Sequence, residues 1–225
     1  MRVLSGAEGV GLDEMQKKNF IRLNTVLRSP PGVGEAITAL SREIAETHDE
    51  YFILDAEQFF PHVTIYAPEY PSAKQSNVLS SVEAIALKTS RLTLGYVGTT
   101  SKQGYVGLRM KLTDEMRDLH IELVEKLNPL RGEQLRAAYR EDAADYQMRF
   151  SDDQKGNIKK YGFPEAMSLY NPHMTVIRLK DEAEAKEVAE RLSWIIDSFE
   201  FTQLGVYAMG DHGTCIEELA AFDLQ

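Results

Sequence analysis

The sequence is poor in cysteine and has no long apolar run. A single cysteine, Cys215, occurs in 225 residues, so no internal disulfide can form. No apolar stretch approaches the ~20 residues that span a bilayer, and residues 1–20 lack the apolar core of a secretory signal. Disulfides belong mainly to oxidising compartments. We therefore expect a cytoplasmic protein that does not associate with membranes, in which residues 1–18 form a loose arm.

Positive charge is also scarce. The chain has 25 basic and 35 acidic residues, a formal net charge of −10. Proteins that bind long nucleic acid neutralise its phosphates with lysine and arginine, so this balance argues against a long duplex as partner. A small nucleotide or an RNA end in a locally basic cleft remains compatible with it, because local fields govern such binding. Nothing in the sequence indicates an oligomeric state.

Metal and cofactor motifs are absent. The five histidines do not fall at metal-ligand spacing, and one cysteine cannot build a zinc site. The glycines of residues 6–11 lack the dinucleotide-binding order, and residues 95–102 lack the spacing of a phosphate-binding loop. We expect no cofactor and no metal. His48, His120 and His212 are interpreted as structural or solvent-exposed.

Hydrophobic periodicity predicts an α+β fold with antiparallel sheets. No change in composition divides the chain, so we predict one domain over residues 19–225 with a variable segment at 129–170. That segment is expected to hold a helical piece at 132–150 and then a polar loop. Each half of the chain has a strand with a histidine, a helix and two strands. The predicted strands are 20–27, 59–67, 91–97, 105–112, 172–179, 199–209 and 214–222, and the predicted helices are 33–48, 73–87, 113–127 and 181–196.

One four-residue pattern occurs twice: histidine, apolar, threonine, apolar. It reads HVTI from His62 and HMTV from His173, each time directly after a proline. Because side chains alternate between the two faces of a strand, each histidine and its threonine point to one face and the apolar pair points to the other. His62 and Thr64, with His173 and Thr175, are therefore predicted to line one shared surface.

This set of side chains suits phosphodiester cleavage. The reaction needs a base for the attacking oxygen and an acid for the leaving oxygen, and imidazole, with a pKa near ~6.5, serves as either. A threonine hydroxyl beside each ring can donate to a non-bridging phosphate oxygen. The scheme requires no metal. Which histidine is base and which is acid stays open.

The repeated motif, with strand, helix and two strands around it, resembles the two-histidine (2H) phosphoesterase superfamily. Its bacterial members include the RNA 2′,3′-cyclic phosphodiesterases, also called 2′-5′ RNA ligases. The resemblance covers about residues 20–224 and implies a bilobal α+β fold, with two similar halves facing a central cleft and helices outside. It also implies that His62, Thr64, His173 and Thr175 form the active site. We expect the two motif strands in facing sheets, with the imidazoles flanking one phosphate.

The implied activity is metal-independent hydrolysis of a cyclic phosphodiester or of a nucleotide or RNA-end phosphodiester. Two alternatives stay open. One is ligation of RNA ends, the reverse reaction at the same residues. The other is a catalytically idle nucleotide- or RNA-binding module on the same scaffold, which intact histidine and threonine pairs disfavour.

Further candidates for substrate binding follow from strand alternation. Arg22 and Asn24 are predicted to face the cleft from the first strand, and Tyr66 continues the face of His62 and can stack on a base. Tyr170 directly precedes the second motif. We also expect the segment 131–170 at the cleft mouth, where it helps to select the substrate. Its candidate phosphate and base contacts are Lys155, Lys159, Lys160, Tyr161 and Phe163.

Overall fold

The computed structural model describes residues 19–55 and 58–225. In this part of the chain, ten β-strands and six α-helices form an α+β fold built on a curled antiparallel sheet, which confirms the predicted class. The arm predicted for residues 1–18 lies outside the described residues. Within the described ranges, every helix is too short or too polar to cross a membrane.

The elements are numbered in their order along the chain. The strands are β1 (Phe20–Arg28), β2 (Glu50–Ile53), β3 (His62–Tyr66), β4 (Glu69–Pro71), β5 (Leu92–Lys102), β6 (Tyr105–Met110), β7 (His173–Leu179), β8 (Ser198–Phe201), β9 (Gln203–Met209) and β10 (Cys215–Asp223). The helices are α1 (Pro31–Ala45), α2 (Gln75–Ala86), α3 (Asp114–Arg131), α4 (Tyr146–Arg149), α5 (Asp152–Tyr161) and α6 (Glu182–Arg191).

The sheet has two four-stranded halves that join at the motif strands. Its order is β10-β9-β1-β3 and then β7-β6-β5-β8, with β2 beside β7 and β4 beside β1. The strands β5 and β6, which follow the first motif in sequence, lie beside the second motif strand. Strands β9 and β10 lie instead in the half of the first motif strand. Each half of the sheet therefore contains strands that follow the other half's motif in sequence. The motif strands β3 and β7 are direct neighbours in one sheet, whereas they were expected in facing sheets.

The predicted strand 199–209 is wrong, because the chain forms two strands there. Strand β8 pairs with β5 at one edge of the sheet, and β9 pairs with β1 in the other half. Phe199 and Phe201 are buried, and strict alternation would make residue 203 the next buried one. The next buried residue is instead Leu204. The shift occurs at Thr202, where the chain passes from one half of the sheet to the other.

The variable segment also differs from its prediction. Residues 132–150 hold only a short 3₁₀ turn, Ala137–Tyr139, and the four-residue helix α4, whereas the predicted polar loop contains α5. Ser151 and Gln154 form a reciprocal capping box at the start of α5, and Gly162 ends it with a left-handed φ of 66°. These three residues are a helix signal that the sequence interpretation missed.

The apolar residues of the two motifs lie in the core, behind the histidine face. Val63, Ile65, Met174 and Val176 are fully buried. Helices cover this side of the sheet: α3 packs on β3, and α6 packs on β5 and β6. The core thereby fixes the orientation of both motif strands, as the alternation predicts.

Candidate active site

The two motifs meet through one antiparallel register pair. Val63 of β3 lies opposite Met174 of β7. In an antiparallel pair the neighbours on either side also face each other, which sets His62 across from Thr175 and Thr64 across from His173. All four of these polar side chains are half-buried, in contrast to the buried apolar residues between them. The four residues therefore form one compact group on the open face of the sheet.

Both imidazoles are anchored in the same way. His62 Nδ1 lies 2.6 Å from the carbonyl oxygen of Phe60, and His173 Nδ1 lies 2.9 Å from that of Asn171. A carbonyl oxygen only accepts, so Nδ1 carries the proton and the lone pair of a neutral ring is on Nε2. Each motif thus presents Nε2, the atom that can take up or deliver a proton, away from its own strand.

Asn24 of β1 contacts the first motif directly. Its Nδ2 donates to Thr64 Oγ1 at 3.0 Å and lies 3.3 Å from His62 Nε2. The same group approaches the Sγ atom of Cys215 at 3.6 Å. Asn24 is fully buried, and this geometry places it on the face that strand alternation predicted. Because Thr64 Oγ1 accepts from Asn24, its own hydroxyl proton is free to point elsewhere.

The electrostatics of His62 favour its neutral form. Burial lowers the pKa of His62 to about 4, the bond to the Phe60 carbonyl partly opposes this, and the charge of His173 lowers it further. Below neutral pH the ring of His62 therefore stays uncharged over a wide range. A charge on His173 therefore disfavours a second charge on His62.

A β-bulge lies at the fourth residue of each motif. Between β1 and β3 the register shifts so that Thr25 pairs with Tyr66 and Val26 with Thr64, leaving Ile65 as the extra residue. Between β6 and β7 the shift leaves Val176 as the extra residue. A bulge reverses which face the following side chains occupy. The two motif strands thus share a local irregularity as well as a sequence pattern.

The first bulge corrects the prediction for Tyr66. The side chain turns to the core face with Thr25, is fully buried, and donates from its hydroxyl to the carbonyl oxygen of Tyr161 at 2.6 Å. The carbonyl of the extra residue, Ile65, instead receives His120 Nδ1 at 3.0 Å. Tyr66 therefore offers no ring to a base, and His120 has the structural role expected of it.

Tyr170 is also corrected, and Arg22 is engaged in an ion pair. Tyr170 is buried, with its ring stacked on His120 at 3.9 Å and its hydroxyl donating to the Thr64 carbonyl oxygen at 3.1 Å. It supports the first motif from behind rather than contacting the open face. Arg22 pairs with Asp211 of the β9–β10 turn at 3.5 Å and is half-exposed.

The second bulge brings Arg178 to the histidine face, which the sequence interpretation missed. Arg178 pairs with Tyr105 of β6, and its guanidinium carbon lies 4.5 Å from the centre of the Tyr105 ring. The same carbon lies 4.7 Å from the centre of the Tyr51 ring. The Nη1 atom of Arg178 is 2.5 Å from Nδ1 of His212. Strict alternation from His173 assigns Arg178 to the core. A charged residue at a core position was the available signal that the alternation breaks here.

One small pocket joins the two motifs to the β9–β10 turn. His62 and Thr175 line it together with Phe60, His212, Thr214 and Cys215. His212 therefore belongs to the surroundings of the site. In the two described ranges, no group of three or more histidine, cysteine or acidic side chains is arranged to hold a metal ion.

The lysines predicted for phosphate contact lie elsewhere. Lys155 pairs with Asp152 at 3.4 Å, and Lys160 Nζ lies 5.0 Å from the ring of Tyr161. Helix α5, which carries both, reaches the sheet at Tyr66, whose side chain points to the core face. The predicted contacts of these lysines with substrate are therefore not supported by the geometry.

Comparison with known proteins identifies both a family and a fold. The sequence model of a family described as "Protein of unknown function (DUF1045)" matches residues 65–210, which include the second motif. TT0787 of Thermus thermophilus superposes with a TM-score of 0.56 at 14% identity, covering 91% of this chain and 98% of its own. Escherichia coli LigT superposes with a TM-score of 0.54 in its apo form, at 14% identity, and in its complex with 3′-AMP, at 15%. Each LigT alignment covers 92% of this chain and 99% of LigT.

At sequence identities of 14% and 15%, the structural similarity to TT0787 and LigT shows a shared fold. TT0787 and LigT are 2H phosphoesterase superfamily members, so the chain has the fold of that superfamily and the predicted resemblance is confirmed. A comparison with curated proteins gave no match.

Proposed function

The chain belongs to the DUF1045 family, and we propose that it is a metal-independent phosphoesterase that works through His62 and His173. The observation that carries this proposal is the matched anchoring of the two rings. Each donates from Nδ1 to the carbonyl two residues earlier, on two neighbouring strands, and each has a threonine beside it. Such symmetry is expected of two groups that act on opposite sides of one phosphate.

The proposed reaction opens a cyclic phosphodiester with water. One imidazole Nε2 takes a proton from the water as its oxygen bonds to phosphorus. The bond from phosphorus to one ribose oxygen breaks, and the other imidazole gives that oxygen a proton. The product is a phosphate monoester, and solvent exchange returns each ring to its starting state.

We assign the base to His62 and the acid to His173. Burial disfavours a charge on His62, as its lowered pKa of about 4 reflects. Two adjacent imidazoles cannot both be charged without repulsion, so we assign to His173 the proton that the acid delivers to the leaving oxygen. A bound phosphate, being negative, stabilises that charge further.

The threonines are proposed to hold the phosphate. Thr64 Oγ1 accepts a hydrogen bond from Asn24, which leaves its hydroxyl proton for a non-bridging phosphate oxygen. Thr175 lies on the same pocket as His62 and has the matching place in the second motif. Donors at these positions stabilise the charge that grows on the phosphate oxygens in the transition state.

For the substrate we propose a small nucleotide or an RNA end. A structure of LigT contains 3′-AMP, a nucleotide of this kind, and the shared fold makes it a reasonable ligand class for the cleft here. Ligation of RNA ends uses the same two proton transfers in reverse and is the second candidate. Cytoplasmic location, the absence of a cofactor and the exclusion of long duplexes remain predictions.

A substrate panel tests this function. Purified protein is incubated with 2′,3′-cyclic nucleotides, 2′-5′ dinucleotides, ADP-ribose cyclic phosphate and RNA ends, and the products are separated by chromatography. We expect at least one cyclic substrate to yield a phosphate monoester, and no product from the His62→Asn/His173→Asn double variant. Absence of any product from the unmodified protein, or equal activity of the double variant, would contradict the proposal.

A further inference from the structure

We propose that His212, in the β9–β10 turn, is a third histidine of the site and donates a hydrogen bond from Nε2 to a non-bridging oxygen of the bound phosphate. This role rests on the proposed function, since it adds a contact to the phosphate on which His62 and His173 are proposed to act. It differs from theirs because His212 transfers no proton. Arg178 is the positioning residue that holds the His212 ring.

His212 lies beside the two motifs. Its side chain is half-buried and lines the same pocket as His62 and Thr175. Among the described residues, those that line this pocket include no carboxylate, lysine or arginine. The hydroxyl of Thr214, which also lines it, donates to the carbonyl oxygen of Asp211 at 2.8 Å. A phosphate held by Thr175 therefore has the His212 ring as a further donor within the pocket.

The position of the proton on His212 follows from its partner. Arg178 Nη1 lies 2.5 Å from His212 Nδ1. A guanidinium has donors only, so Nδ1 accepts, and a neutral ring whose Nδ1 accepts carries its proton on Nε2. The opposite holds for His62 and His173, whose Nδ1 atoms donate to carbonyl oxygens. Those two rings offer a lone pair on Nε2, whereas His212 offers an N–H.

The Nε2–H group of His212 is available to a ligand. In the described part of the chain, the bond to Arg178 is the one hydrogen bond of the His212 side chain. Since hydrogen bonds in series polarise one another, the guanidinium on Nδ1 makes Nε2–H a stronger donor. A neutral imidazole held as a donor by its surroundings is an established way to stabilise charge on a substrate oxygen.

The charges around His212 keep its ring neutral. Burial lowers the pKa of His212, the charge of Arg178 lowers it further, and the adjacent Asp211 opposes both. Asp211 is exposed, and its carboxylate pairs with Arg22 at 3.5 Å. A neutral donor suits this pocket, because it adds no repulsion to the proton that we assign to His173.

Aromatic contacts fix both the ring and the backbone of His212. The guanidinium carbon of Arg178 lies 4.7 Å from the ring centre of Tyr51 and 4.5 Å from that of Tyr105. The His212 ring packs on Tyr51, with 4.6 Å between the ring centres. The Tyr105 hydroxyl donates to the His212 carbonyl oxygen at 2.9 Å. Arg178 is thus held by two rings that also contact the residue it positions.

Phosphate affinity tests the contact without turnover. Inorganic phosphate and adenosine 3′-monophosphate are titrated into the full chain by calorimetry. His212→Asn keeps an acceptor near the position of Nδ1 and tolerates the left-handed φ of 57°, but it lacks the donor at Nε2. We expect this variant to bind both ligands about 10- to 100-fold more weakly, the usual effect of losing a hydrogen bond to a charged group.

Two further variants separate the donor from the fold. His212→Gln carries an amide N–H at about the position of Nε2 and should recover part of the lost affinity. His48→Asn replaces a half-buried histidine that does not line the pocket, and it should bind both ligands like the unmodified protein.

The role of Arg178 is tested by the tautomer of His212. Long-range ¹H–¹⁵N spectra of the imidazoles show which ring nitrogen carries the proton. We expect the proton of His212 on Nε2 in the unmodified protein, and a mixture of both tautomers in Arg178→Met. A merely structural role of Arg178 would leave the tautomer unchanged.

Several results would overturn the proposed contact. They are unaltered phosphate affinity of His212→Asn, a loss confined to the nucleotide, a proton on Nδ1 of His212, and failure of the unmodified protein to bind either ligand. The substrate panel decides the proposed function separately. Hydrolysis together with unaltered phosphate affinity of His212→Asn refutes the role of His212 alone. Phosphate binding that depends on His212, without hydrolysis of any substrate, refutes the proposed function alone.

Discussion

Val63 lies directly opposite Met174 where β3 and β7 pair, and this contact brings the two motifs together. Both side chains are fully buried, so the core specifies the register on both strands. A slip of either strand by one residue would turn its histidine into the core and its apolar residue outward. The proposed site therefore depends on the same packing that stabilises the sheet.

Removing one threonine hydroxyl should impair the reaction without unfolding the protein. Thr64→Val keeps the shape of the side chain but deletes the donor proposed for the phosphate, and Thr175→Val does the same in the second motif. We expect each to lower kcat by about 10²- to 10³-fold, the usual effect of losing one donor to the transition state. Thr93→Val, at an exposed position of β5, is the matched control and should retain full activity. Wild-type rates in both motif variants would refute the proposed role.

Asn24 offers a test through the pH profile. Asn24→Asp sets a carboxylate next to His62 Nε2, and a nearby negative charge raises the pKa of an imidazole by about 1–3 units. The acid limb of the kcat/KM profile, expected near the pKa of about 4 in the unmodified protein, should move upward accordingly. Asn19→Asp adds the same charge at an exposed position and should leave the limb in place. An unmoved limb in the Asn24 variant means that His62 is not the base.

Folding stability should fall on acidification because of buried histidines. Burial lowers the pKa of His120 to about 4, whereas an unfolded chain has a histidine pKa near ~6.5. Between these values the unfolded state binds more protons, so the free energy of unfolding decreases as the pH falls, and the full contribution is present above about pH 6.5. The lowered pKa of His62 acts in the same direction.

Urea unfolding at pH 7, 6 and 5 measures this dependence. His120→Gln should reduce the slope of stability against pH in this window by about 1 kcal/mol per pH unit, the limit for one proton being near 1.4. The slope is the informative quantity, because the variant also loses bonds to Ile65 and Met167. His48→Gln, at a half-buried site near the end of α1, serves as control. An unchanged slope in the His120 variant would contradict the account.

Strand alternation alone predicted much of this face. It predicted that Asn24 faces away from the core side of its strand, and there the structure has it against His62 and Thr64. It also oriented Val63 and Met174 into the core. Within a single strand, side-chain direction follows from the backbone, so no knowledge of the neighbours is needed.

The predictions that failed concern features that depend on which strands pair and in which register. Tyr66 and Arg178 each follow a bulge, and a bulge depends on the register with the adjacent strand, which a strand's own sequence does not encode. The break at Thr202 has the same origin, since β8 and β9 pair in different halves of the sheet. Helix α5 was predictable in principle from Ser151, Gln154 and Gly162.

The central claim is that one histidine from each motif strand carries out the chemistry without a metal. Its most direct test is the initial rate of 2′,3′-cyclic nucleotide hydrolysis in excess EDTA for the unmodified protein and for His62→Asn, His173→Asn and His48→Asn. The account predicts an EDTA-resistant rate that falls by about 10²- to 10⁴-fold in either motif variant and persists in the His48 variant. A rate abolished by EDTA and restored by a divalent ion, or one that survives loss of either motif histidine, would contradict it.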